Sequence, residues 1–285
     1  MTAAARPASG VPAHASLPSV FSLGRARVGL EMRQFFRESD AVVFIVVYPA
    51  VMLAIFATVF GQHGARVGSE PGIPYAQYFL PGMLATGVML SSFQNLATMI
   101  AVERDEGALK RLRGTPMPAT AYFLGKVGQV LVLALVQIAL LLVVAATLFH
   151  VPLPTSATAW TTFTWVFILG TATGSVCGIA FSSVPRSGRA ATAVVTPVVL
   201  VLQFISGVFF PYYQLPTWMQ HLASVFPLKW MAQGMRSVFL PASAEVTEVT
   251  GSWQHDATAA VLLAWLVVGI VFGVRKFRWR RRDDG

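Results

Sequence analysis

ERDEGALKRLRGTPMP, residues 103–118, holds seven charged residues in sixteen, acidic first and basic after, and closes on Gly and Pro. On either side the chain runs for more than twenty residues almost without charge, from Ala76 to Val102 and from Ala121 to Phe149. A bilayer core of about 30 Å takes about 20 apolar residues as a helix. The charged cassette therefore reads as the connection between two membrane spans, and the rest of the chain follows from it.

The 285 residues are 55% hydrophobic and 12% charged, where a soluble domain carries about 25% charged residues. Six runs are long and apolar enough to span: Ala41–Phe60, Ala76–Val102, Ala121–Phe149, Ala157–Phe181, Ala190–Phe210 and Ala257–Val274. Lys126 is the one charge inside them, near a span end where its stem could snorkel to the interface. Six spans put both termini on one side. Eighteen of the 21 Lys and Arg residues flank the spans on the side of the cassette and the termini; Arg66, Lys229 and Arg236 lie on the other. The positive-inside rule then places the cassette and both ends in the cytoplasm of a bacterial inner membrane. Residues 1–20, rich in Ala, Pro and Ser, read as a disordered cytosolic tail, and 276–285 as a basic one. Its basic run, Arg275–Arg282, follows a span directly and suits anionic lipid rather than nucleic acid. Before the first span, Phe21, Val28, Met32, Phe35 and Phe36 form one apolar stripe, which predicts an amphipathic helix lying on the membrane surface.

No span carries Asp, Glu, Arg or His in its middle, which argues against an ion-coupled carrier. His63, His150, His221 and His255 have no metal-ligand spacing and no nucleophile motif beside them, so an integral-membrane enzyme is disfavoured. Cys177, the single cysteine, reads as a small buried hydrophobe. Gly170, Gly174 and Gly178 share one face of the fourth span and predict close helix packing. In the second span Gly87, Ser91, Asn95 and Thr98 make a polar stripe with Gln94 beside it. It reads either as interhelical hydrogen bonding or as the wall of a translocation path. Between the last two spans, PYYQLPTWMQHLASVFPLKWMAQGMRSVFLP is too apolar for a free loop and too broken by proline for one span. Two short helices dipping into the outer leaflet would satisfy its backbone.

The cassette itself reads as one short helix over Glu103–Arg113. Glu103, Asp105 and Glu106 stand in the first turn and Lys110, Arg111 and Arg113 in the last, complementing the helix dipole. Glu106 and Lys110 make an i,i+4 pair, and Leu109 and Leu112 share a face. The chain has no G-x-x-x-x-G-K-[ST] loop, so nucleotide phosphates would have to be held elsewhere.

At these residues the chain resembles the permease subunits of type-2 ABC exporters, the branch with bacterial multidrug and antibiotic-resistance permeases. Glu103-Arg104-Asp105-Glu106-Gly107-Ala108-Leu109-Lys110-Arg111-Leu112, then Pro116 and Pro118, is similar to the family's stretch after span 2, and Gly125-Lys126 to its opening of span 3. Phe209–Arg236 resembles the family's segment after span 5. Ala108 stands where relatives often have Thr. The resemblance implies an all-α membrane protein of six transmembrane helices, with an interfacial connecting helix near Phe21–Glu38 and an outer re-entrant hairpin between spans 5 and 6. It implies that Glu103, Arg104, Asp105, Glu106, Gly107, Leu109, Arg111 and Leu112 form a coupling helix docking on a separate ATPase. Two ATPase subunits would bind ATP and Mg, leaving this chain without a cofactor, catalytic residue or metal, and a second permease protomer would complete a homo- or heterodimer. Spans 2 and 5 would line the path, with Ser91, Gln94, Asn95, Thr98, Gln203 and Phe204 as candidates. The cargo expected is a hydrophobic or amphipathic compound such as a drug, antibiotic or natural product. The alternative within the family is a polysaccharide or lipid-linked glycan.

Overall fold

The structure, a computed structural model, describes residues 19–62, 66–68 and 72–276. Of the tail expected over residues 1–20, residues 1–18 lie outside the described residues, as do His63 and the basic residues beyond Lys276, while Ser19 and Val20 already belong to the start of the first helix.

Helix α1, Val20–Arg37, begins one residue after Ser19, whose Oγ accepts from the Ser22 amide at 3.2 Å. The first apolar run forms α2, Ser39–Val42, a π turn over Val43–Val47, and α3, Tyr48–Gly61, which carries Pro49 in its first turn. A two-stranded antiparallel ribbon follows, with β1, Arg66–Val67, paired to β2, Ile73–Pro74. The second run is a 31-residue helical rod: α4, Tyr75–Met89, a π turn over Leu90–Gln94, and α5, Asn95–Asp105. Beyond it come α6, Ala108–Arg113, three long helices, α7, Ala119–Leu148, α8, Ala157–Phe181, and α9, Gly188–Ile205, and two short ones, α10, Thr217–Ser224, and α11, Pro227–Phe239. The last helix is α12, His255–Lys276.

Among the described residues five helices are long and apolar enough to cross a membrane, judged by length and composition: Tyr75–Asp105, Ala119–Leu148, Ala157–Phe181, Gly188–Ile205 and His255–Arg275. The apolar helix Ile45–Gly61 is shorter. The expected first span is thus interrupted by a π turn, and the expected fifth ends at Ile205 rather than Phe210. There Gly207 takes a left-handed φ of 72° and the chain turns away.

The 31-residue rod is the centre of the bundle. Its most apolar stretch is 78% buried, against 17% for that of the last helix, and α4 is buried along nearly all its length. The small face of α8 lets it approach closely. A Cβ on Gly178 would stand 2.7 Å from the Phe93 carbonyl oxygen in the π turn, one on Gly170 would meet Met231 Cε at 3.0 Å, and one on Gly174 would collide with Ser92. On its other side α8 holds α12, where the Thr173 hydroxyl donates to the Leu262 carbonyl at 3.0 Å.

The charged cassette departs from the expected single helix. Residues 103–105 are the last turn of α5, and the chain then bends at Gly107, φ 73°, before the six-residue α6. A left-handed residue cannot continue a right-handed helix, and glycine reaches that conformation without steric cost. The Glu106–Lys110 i,i+4 pair therefore straddles the bend and does not lie on one helix.

Candidate functional site

At the end of the bundle that carries the cassette, the sequence builds an elbow whose two sides differ. Leu109 is buried among Leu96, Ile100, Tyr122 and Val130, with Leu112 packed beside them. Lys110, Arg111 and Arg113 stay exposed, so α6 is anchored through its apolar face and presents a basic one. Arg111 Nη1 reaches back across the bend to the Glu106 carbonyl at 3.3 Å.

The residues expected to dock a partner divide accordingly. Glu106 and Arg111 are exposed, while Asp105, Gly107 and Leu112 are half-buried. Glu103 and Arg104 turn inward and tie the elbow to the rest of the protein. Arg104 Nη2 donates to the Pro185 carbonyl at 3.1 Å, just before α9. A Cβ on Gly188, the first residue of α9, would meet Val102 Cα at 3.0 Å and Asp105 Cβ at 3.2 Å. The end of α5 and the start of α9 are therefore in contact.

Glu103 faces the other way, into a cluster that overturns the snorkelling expectation for Lys126. Lys126 Nζ is fully buried, 2.7 Å from Glu31 Oε2 and 2.6 Å from Glu103 Oε1. The Tyr122 hydroxyl donates to Glu103 Oε2 at 2.7 Å. Arg27 Nε stands 2.7 Å from Glu31 Oε1, a charge contact off-line for a hydrogen bond. Two cations and two carboxylates thus balance, which is the condition for burying them. The cluster exists because α1 lies tightly on α7: a Cβ at Gly125 would stand 2.8 Å from Arg27 Cβ. The buried face of α1 is Gly24, Glu31 and Phe35, whereas Phe21 and Phe36 of the expected apolar stripe are exposed. Glu31 was invisible to an apolar-stripe reading. The usable signal was a lone lysine in a span, which needs a carboxylate from a neighbouring element.

Beside this cluster, a cavity of about 770 Å³ runs between the end of α1, the start of the first apolar run, α5 and α9. From the polar stripe it takes Gln94, Asn95 and Thr98, and from α9 Thr192 and Thr196. Ser91 does not reach it. The π turn adds a residue to the helical repeat and leaves Ser91 buried, its hydroxyl on the Gly87 carbonyl at 2.9 Å. Gly87 instead faces Gln137 of α7. Gln203 is buried on α9, and Phe204 is exposed with its ring 5.0 Å from that of Phe209; neither lines the cavity. The stripe is therefore shared between helix packing and a cavity wall.

The opposite end is closed by α10 and α11. Arg236 Nε lies 2.6 Å from Glu248 Oε1, both groups buried, and Nη1 donates to the Gly207 carbonyl at 3.4 Å. Burial lowers the Lys229 ammonium to about 8, with nearby Glu248 opposing the fall. Trp230, Gln233 and Trp265 donate to backbone carbonyls in or beside this region, so the broken, apolar segment leaves few groups to seek water. The Phe56 ring stacks on that of Phe209, centroids 5.3 Å apart, and packs at a tilt of 48° against that of Phe79, 5.1 Å away.

Comparison with known proteins gives one consistent result. The pattern of the ABC-2 type transporter family matches residues 27–240, from the ion cluster on α1 to the end of α11. The chain is 26% identical over 198 residues to the inner membrane transport permease YadH of Escherichia coli K12, covering 68% of this chain and 75% of that protein. It is 22% identical over 171 residues to the probable multidrug ABC transporter permease YbhR of the same strain, covering 60% of this chain and 46% of that one. The putative transport permease ycf38 of Porphyra purpurea is 22% identical over 244 residues, 84% of this chain and 81% of its own.

Proposed function

The chain belongs to the ABC-2 type transporter family as a multi-pass membrane permease, and on that premise we propose that it is the membrane subunit of an ATP-driven exporter. Two copies of a separate ATPase bind ATP and Mg and hydrolyse it, and a second permease protomer completes the path. The cargo is a hydrophobic or amphipathic compound moving outward from the cytoplasm or inner leaflet.

Six spans with both termini inside fit the helices. The α-π-α rod from Ser39 to Gly61 rises about 34 Å at 1.5 Å per residue, enough to serve as the first span. With eighteen of the 21 basic residues at the cassette side, that side faces the cytoplasm. The α10–α11 pair then acts as a re-entrant hairpin at the outer face, and the exposed Phe21 and Phe36 let α1 lie on the inner leaflet.

The observation that carries the proposal is the elbow at Gly107. Its exposed basic face is available to an ATPase, while Glu103 and Arg104 on the adjoining turn grip α1, α7 and the start of α9. A push on α6 is thus delivered to spans 2 and 5 together, the two that wall the cavity. Co-expression with candidate ABC ATPase subunits from the same genome, followed by purification, tests this. A stable complex whose ATPase rises on addition of amphipathic cargo supports it, and a permease that never retains an ATPase overturns it.

A further inference from the structure

The cavity beside α5 has an uneven charge. Four of the chain's twelve carboxylates, Glu38, Asp40, Glu103 and Glu106, border it, with Arg37 as the opposing cation. Glu103 is engaged by Lys126 and Tyr122. Glu38, Asp40 and Glu106 are exposed, and among the described residues no ion pair engages their carboxylates. The mouth therefore keeps an excess of negative charge on the side of the protein where basic residues otherwise predominate.

The inner part of the cavity is different. Asn95 is 6% exposed, and the nitrogen of its amide has no hydrogen-bond partner. The Thr196 hydroxyl, across on α9, also has none. Leaving such groups buried and unpaired is costly, so a polar atom of a ligand that met them would be held. Asn95 and Glu106 are separated by about 16 Å of helical rise, the length of a drug-sized molecule, and about 770 Å³ lies within the range of small-molecule sites.

We infer that this cavity selects elongated lipophilic cations, taking the positive end between Asp40 and Glu106 at the mouth and a hydrogen-bond acceptor at Asn95 and Thr196. This rests on the export reading and narrows its cargo.

Two dyes isolate the charge. Rhodamine 123 and fluorescein methyl ester share a xanthene–benzoate methyl ester skeleton but are a cation and an anion at neutral pH. Binding of each to the full chain in phosphatidylcholine nanodiscs, measured by fluorescence anisotropy against empty nanodiscs, is expected to favour rhodamine 123 by about tenfold or more. Asp40→Asn with Glu106→Gln should remove most of that preference, and Asn95→Leu should weaken both dyes, since both carry the ester acceptor. Equal affinity for the two dyes, or an unchanged preference in the Asp40→Asn, Glu106→Gln variant, overturns the inference. The export reading fails separately. Rhodamine 123 that binds as expected but neither stimulates the ATPase of the complex nor crosses the membrane leaves the site standing and removes its role in export. Transport of neutral compounds without any dye preference does the reverse.

Discussion

Replacing Lys126 by methionine keeps most of the side-chain volume and deletes one charge from a balanced set of four. In the intact protein Arg27 and Lys126 face Glu31 and Glu103 at 2.6–2.7 Å, with Arg27 and Glu103 themselves 3.9 Å apart. Without the ammonium, two carboxylates share one guanidinium, and Glu31 is fully buried. Breaking a buried pair from one side costs about 3–5 kcal/mol. At about 2–4 °C per kcal/mol for a chain of this class, Tm should fall by about 10 °C. Lys126→Met combined with Glu31→Gln leaves one cation and one anion, and should recover at least half of the loss. Cys177, the single cysteine and half-buried on α8, reports unfolding through reaction with a thiol-sensitive fluorophore during heating. A single variant within about 2 °C of wild type, or a double variant no more stable than the single, would refute the claim that the cluster is held by charge balance.

Other consequences are as direct. Gly107→Val forces a β-branched residue into φ 73°, costing about 1–2 kcal/mol, and should lower Tm by a few degrees while reducing ATPase stimulation; unaltered stimulation would show that the elbow's angle does not matter. Gly125→Leu pushes Arg27 away and should loosen α1, read as faster proteolysis within residues 20–37; unchanged digestion would contradict the close packing. Lys229, lowered by burial from 10.5 to about 8, is neutral in the folded protein and still protonated in the unfolded chain between those values. Stability contributed by this group should therefore rise with pH from about 8 to 10.5. Lys229→Met should remove that rise in a series of Tm measurements, and identical profiles for the two proteins would sink it.

Much of the fold was legible because lipid imposes a length and a composition on any helix that crosses it. The runs at Ala121–Phe149 and Ala157–Phe181 coincide closely with α7 and α8 for that reason. What escaped was irregularity. A π turn at Leu90–Gln94 leaves no compositional mark, yet it turns Ser91 away from the cavity that Asn95 and Thr98 reach. The cassette's charge order fits a single helix, although glycine amid charged residues is also a signal for a left-handed turn. At the candidate site, Glu103 and Arg104 looked like surface charges because their partners, Lys126 and the Pro185 carbonyl, are separated from them by 23 and 81 residues. Periodicity within one helix cannot reveal such contacts. The Arg236–Glu248 pair was hidden in the same way.

The most direct measurement is the affinity and stimulated hydrolysis of the purified ATPase subunit with permease in proteoliposomes, comparing wild type with Glu106→Lys combined with Arg111→Glu. Both side chains are exposed, and the bond between them is one exposed contact of 3.3 Å to a backbone carbonyl, so the reversal should leave Tm unchanged. If the elbow is where ATP chemistry enters the bundle, affinity should drop by about tenfold or more, and hydrolysis stimulated by a neutral amphipathic cargo, whose binding does not use the Glu106 charge, should vanish. Binding and stimulation equal to wild type would place the coupling surface elsewhere.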